Sequence, residues 1–121
     1  YEQVLLSIHS LLKHNTDASI EVITDIDTSK SLIGKRNAIC NYPQVHISPI
    51  SVPTHFSQVQ KSRYLKTTSR EIIDGDFLFI DTDTIICGPL DEIDNTTYEL
   101  CAVNDMNRPI GLSKASSTVG S

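Results

Sequence analysis

The sequence predicts an α/β domain with a mostly parallel sheet flanked by helices. Three observations carry that expectation. Stretches with helical apolar spacing alternate with short β-rich stretches along most of the 121 residues. The run Phe77-Leu78-Phe79-Ile80 is apolar at every position, which suits a central parallel strand covered on both faces. No internal repeat, linker or block of like charge divides the chain, so a single core is expected.

Each element follows from local pattern. Val4, Leu5, Ile8, Leu11 and Leu12 fall on one helical face, and Asn15 suits the end of that helix. "SIEVIT", residues 19–24, is short and β-branched, so a strand is expected. Residues 25–28 are polar and turn-like. Thr28 or Ser29 can then cap a second helix over residues 31–40, before the break at Asn41-Tyr42-Pro43. Val45, Ile47 and Pro49 alternate with His46 and Ser48, which reads as a strand at a sheet edge or ending at Pro49. Residues 56–73 lack Gly and Pro and predict a long helix. Its inward face is Leu65, Thr68, Ser69, Ile72 and Ile73, and Gly75 stops it. After the apolar run at 77–80, residues 98–103 predict one more strand, and the Ser- and Gly-rich stretch 111–121 a loose tail.

Composition narrows the function classes. Hydrophobic residues make 39% and charged residues 21%, an ordinary globular balance, and the net charge of -5 argues against a polyanion read across the whole surface, so no nucleic-acid partner is expected. A small anion held by a few local cations, or through a metal, is compatible with that charge. Cys40, Cys87 and Cys101 are odd in number and lack CxxC spacing, which points to reduced thiols and a cytoplasmic setting. His9, His14, His46 and His55 show no HxH or HxxxH spacing from which a zinc site would be built. No apolar run approaches a membrane span and no signal peptide is visible. Asn95-Thr96-Thr97 has the form of a glycosylation sequon and is taken as accidental in such a setting.

The chemistry gathers at "FLFIDTDTIICGPLDEI", residues 77–93. Ligands of open α/β sheets sit beyond the carboxyl ends of strands, where Asp81 and Asp83 would fall. In an extended segment residues i and i+2 lie on the same side, so the two carboxylates would repel each other unless a cation joined them. Hard oxygen ligands suit Mg²⁺ or Mn²⁺, with the remaining oxygens coming from water and a substrate phosphate. The plainer alternative is a polar turn closing a strand. A third reading is an aspartyl nucleophile of the haloacid-dehalogenase-like phosphatases, with Asp81 attacking phosphate. There Ile85 stands where Thr or Val is expected, and fewer than forty residues follow to supply the downstream partners. Arg63, Lys66 and Arg70 form a basic stripe at i, i+3 and i+7, which reads as a solvated helix face, for Lys66 and Arg70 above all. Asp25 and Asp27 follow a strand too, and turn roles suit them better.

The longer segment "RYLKTTSREIIDGDFLFIDTDTIICGPLDEI" resembles the sugar-nucleotide-dependent glycosyltransferases of GT-A fold, in particular the bacterial family 8-like enzymes. Arg63 on the helix, Asp81-Thr82-Asp83 after the strand, and Leu90-Asp91-Glu92-Ile93 match in order and approximate spacing. The opening 24 residues look like that family's first helix and second strand. The resemblance implies a Rossmann-like nucleotide-diphospho-sugar transferase fold over residues 1–110, present in part. It implies that Asp81 and Asp83 coordinate Mn²⁺ or Mg²⁺ on a donor diphosphate. The Thr82 backbone or Asp81 would lie near the ribose, and Arg63 would touch phosphate or sugar. Tyr1 matches loosely an aromatic beside the uracil. The donor would be a nucleotide-diphosphate sugar, with UDP the expected nucleotide, and the acceptor a saccharide. The setting would be the inner face of a bacterial membrane, in lipopolysaccharide or capsule synthesis. The family's first strand would precede Tyr1, and its C-terminal metal-binding His and acceptor half would follow this chain, so no catalytic residue is assigned. A non-catalytic fragment that associates through an open sheet edge is the expectation from another class.

Overall fold

A computed structural model of the chain describes residues 1–99. Helix α1 (Glu2–His14) is followed by strand β1 (Ile20–Asp25), helix α2 (Ile26–Ile33), a 3-10 helix (Asn37–Asn41), strand β2 (Val45–Ile50), helix α3 (Gln58–Ile72) and a single turn, α4 (Asp91–Asp94). The strands pair in parallel, Ile20 opposite Val45 through Asp25 opposite Ile50. Over the described residues the fold is therefore α/β, with a two-stranded parallel sheet and helices.

The register explains the core. Parallel partners share a face, so Ile20 and Val22 line up with Val45 and Ile47. That face, with Val4, Leu5 and Leu12 of α1, packs around buried Ile8, Leu32 and Ile39. Ile39 is fully enclosed, at 0% exposure. Pro49, which has no N–H to give, is accommodated because β2 is an outer strand among the described residues.

The second helix differs from expectation. It starts five residues early and ends at Ile33, and the 3-10 turn covers 37–41 instead of a continuous helix over 31–40. Asp25 is the reason. It ends β1 and also caps α2, its carboxylate accepting from the Thr28 N–H (3.0 Å) and hydroxyl (2.8 Å). These bonds hold the Asp25 carboxyl below its usual range: the Thr28 N–H contributes most, partial burial opposes it, and Lys61 adds a smaller attraction. Gly34 then closes the helix, with its N–H on the Lys30 carbonyl.

Helix α3 keeps close to its predicted span and begins at a capping box, Ser57 and Gln60 bonding each other's backbone N–H. Phe56 stacks edge-on against Tyr64 (5.7 Å) and His55 (4.9 Å), pinning the entry. The helix lies against β1. Of its predicted inward face, Ser69 is buried and Leu65, Thr68 and Ile73 are half-buried, while Ile72 is exposed. The chain leaves α3 through Gly75, whose φ of +82° lies in the region that L side chains avoid.

The expected central strand at 77–80 is not found. These residues join no ladder, and Leu78 and Phe79 are each 48% exposed. The run instead lies along the basic stripe of α3. The Arg70 guanidinium stands over the Phe77 ring (5.7 Å) and donates to the Gly75 carbonyl (2.6 Å), and the Lys66 ammonium stands over the Phe79 ring (5.6 Å). Apolarity sets the drive to leave water. It does not specify whose backbone the segment pairs with. Of the strand expected at 98–103, only Tyr98 and Glu99 are described, both exposed and outside any strand. The rest of that strand, Cys101, the limit at residue 110 and the tail 111–121 lie outside the described residues.

Candidate functional site

Residues 81–90 are held between two helices. On one side stands α3, with Lys66 Nζ 2.6 Å from Asp81 Oδ1. On the other side stands the carboxyl-terminal half of α1. Buried Ser10 accepts the Ile86 N–H (2.9 Å) through its hydroxyl oxygen and donates to the Ser7 carbonyl (2.8 Å). Asn15 Oδ1 accepts the Leu90 N–H (2.8 Å), and its Nδ2 donates to the Leu11 carbonyl (3.2 Å) and the Gly88 carbonyl (3.4 Å). The exit of the Asp-Thr-Asp segment is thus fixed by hydrogen bonds to Ser10 of the first helix and to Asn15 at its carboxyl-terminal cap.

The aspartates sit in a turn closed by the Thr84 N–H on the Asp81 carbonyl (3.1 Å). The extended i, i+2 geometry expected from sequence is therefore replaced by a turn, with Asp81, Thr82 and Asp83 all exposed. The turn suits Asp at its first position. It also leaves the Asp83 carboxylate without a hydrogen-bond or ion-pair partner among the described residues. Lys66 and Asp81 are about half exposed, at 48% and 55%, so water competes for both ends of their pair.

Arg63 lies one helical turn before Lys66. The two line an open groove of about 440 Å³ with Gln58, Val59 and Ser62. One cation of the helix, Lys66, therefore adjoins one carboxylate of the turn, Asp81. Tyr1 lies elsewhere. Its hydroxyl donates to the Arg36 carbonyl (2.7 Å), the Arg36 guanidinium stands 5.4 Å over its ring, and it packs on the core cluster. Along α1 it is roughly 14 Å from Ser10 and about 20 Å from Asn15 at 1.5 Å per residue. The structure brings Asp81 to Lys66, puts Arg63 one turn away, and leaves Tyr1 at the other end of α1.

Among the described residues no three His, Cys, Asp or Glu side chains converge as a metal cage. The chemistry of the two carboxylates, as hard oxygen donors, suits a cation site of another kind. Mg²⁺ and Mn²⁺ sites of nucleotide enzymes use one or two carboxylates and fill the remainder with water and phosphate oxygens. The Lys66 ammonium on Asp81 stands where such a cation would put its charge. Ser10 goes unassigned in the sequence, Asn15 reads only as a helix end, and Lys66 only as part of the basic stripe with Arg63 and Arg70. The faint signal for Lys66 was its i+3 spacing from Arg63.

Comparison with protein-family models finds no match, and neither the curated proteins nor the solved structures return a significant one. Among the described residues no helix is long and apolar enough to cross a membrane.

Proposed function

We propose that the chain carries part of the sugar-nucleotide-binding domain of a metal-dependent glycosyltransferase of GT-A type, similar to the bacterial family 8-like enzymes. One observation carries the reading. Two exposed carboxylates share a turn, and one of them already bears a cation at 2.6 Å, beside a groove lined by Arg63 and Lys66. A metal-bound diphosphate is complementary to both halves. Asp81 and Asp83 hold Mn²⁺ or Mg²⁺, the Thr82 backbone borders the ribose, and Arg63 takes phosphate or sugar oxygens. When bound, the ion neutralises charge on the diphosphate leaving group. The donor is a UDP-sugar and a hexose passes to a saccharide acceptor. The work is done in the cytoplasm at the inner face of a bacterial membrane, in envelope saccharide synthesis.

The test is titration of UDP with and without Mn²⁺ on the wild-type protein and on Asp83→Ala. Mn²⁺ should tighten UDP binding to the wild type. Asp83→Ala should remove that metal dependence and leave the fold intact, because Asp83 is exposed and unpaired among the described residues. A folded wild-type protein that binds UDP no better with Mn²⁺ refutes the reading.

The same ion pair supports a second reading. An ammonium beside a carboxylate attracts phosphate to it, which also suits an aspartyl nucleophile. Hydrolysis of p-nitrophenyl phosphate that disappears in Asp81→Asn would favour the phosphatase.

A further inference from the structure

The Lys66–Asp81 pair has a consequence for the order in which ligands bind. Asp81 cannot give its carboxylate fully to a divalent ion while Lys66 Nζ sits 2.6 Å from it. Lys66 is also a wall of the groove that holds Arg63, Gln58, Val59 and Ser62. Its side chain is half exposed, so turning from Asp81 to the groove gives up only an exposed ion pair and the ammonium's place over the Phe79 ring. An anion in that groove would give it a new partner.

We infer that Lys66 is a built-in counter-cation that releases Asp81 when a diphosphate enters the groove, coupling diphosphate binding to divalent-metal binding. This rests on the proposed metal–diphosphate role of Asp81 and Asp83. Without the anion, a metal ion must displace an ammonium that has nowhere better to go. With the anion present, Lys66 pairs with phosphate and Asp81 becomes free. The two ligands therefore help each other beyond their direct attraction, and linkage makes that help reciprocal.

The geometry sets the size. An exposed ion pair contributes enough to change a binding constant by about 1.5- to 5-fold. A positive charge that stayed in place would weaken Mn²⁺ binding and strengthen diphosphate binding separately, leaving the coupling between them unchanged. Only a side chain that changes partner alters the coupling itself.

The experiment measures the affinity for Mn²⁺ alone, with pyrophosphate as the second ligand, in the wild-type protein, Lys66→Met and Asp83→Ala. The ratio of Mn²⁺ affinities with and without pyrophosphate is the coupling factor. It should fall about 1.5- to 5-fold in Lys66→Met, with Mn²⁺ alone binding more tightly by a similar factor. Lys66→Gln should behave alike, which guards against a folding defect of one variant. An unchanged coupling factor, alongside wild-type binding that Asp83→Ala abolishes, overturns the handover and leaves the metal–diphosphate site standing. No Mn²⁺ or pyrophosphate binding to the wild-type protein overturns both.

Discussion

Asn15 provides a test of how the aspartate turn is held. Asn15→Ala removes the acceptor of the Leu90 N–H at 2.8 Å and the weaker donation to the Gly88 carbonyl at 3.4 Å. The backbone of Asn15 has a negative φ, -134°, so no left-handed conformation opposes alanine, and the Asn15 N–H keeps its own bond to the Leu11 carbonyl. The loss felt by the loop is therefore that of the bonds to Leu90 and Gly88, while the third side-chain bond, from Nδ2 to the Leu11 carbonyl at 3.2 Å, belongs to the helix end. One good bond contributes about 0.5–1.5 kcal/mol net, and the long one adds less, giving roughly 1–2 kcal/mol for opening the loop. At tenfold per 1.4 kcal/mol, the Leu90 amide should exchange with solvent about 5- to 30-fold faster. Hydrogen exchange resolved by residue reads this directly. The β1–β2 ladder amides serve as reference and should keep their protection, because loop opening is local. Unchanged Leu90 exchange, or equal acceleration across the ladder, would refute the claim that Asn15 fastens this loop independently of the sheet.

Two further expectations concern stability. Asp25→Ala should lower it by about 1 kcal/mol near neutral pH through loss of the α2 cap, read as a drop of about 4 °C in Tm. Since the folded-state pKa of Asp25 is lowered, its contribution is complete above the unfolded carboxylate value of about 3.9 and fades as pH falls through the lowered folded value. The gap between wild type and variant should therefore close in acid, and a gap that widens there would contradict the assigned cause. Ile39→Ala should cost about 2–5 kcal/mol in urea unfolding, because Ile39 is fully enclosed and its neighbours Ile8 and Leu32 are anchored in separate helices. A loss below about 1 kcal/mol would mean that the site collapses around the cavity.

Legibility followed physical range. The first helix and both strands were readable because Val4, Leu5, Ile8 and the β-branched runs at 20–24 and 45–47 carry their own periodicity. The start of α2 was hidden, because Asp25 looks like the beginning of a turn and only its side-chain bonds to Thr28 reveal a cap. The run at 77–80 showed apolarity without showing its partner, which proved to be the cation stripe of α3. The aspartates stood out as a motif, but Lys66 did not, since its link to Asp81 spans a helix and a loop. Ser10 and Asn15 were less legible again. They look like an ordinary helix residue and an ordinary helix end, and their bonds to Ile86 and Leu90 cross 75 or more positions of chain.

Asp25 is the last residue of β1 and the cap of α2, so strand passes to helix with no connecting residue between them. Such a junction has no slack. One added residue would either separate the carboxylate from Thr28 or turn the helix by about 100° about its axis. The second outcome would swing Leu32 away from Ile8 and Ile39. Connections elsewhere can lengthen at modest entropic cost, whereas here chain length itself sets the alignment of the core, and insertions and deletions should be excluded from this junction more strictly than substitutions.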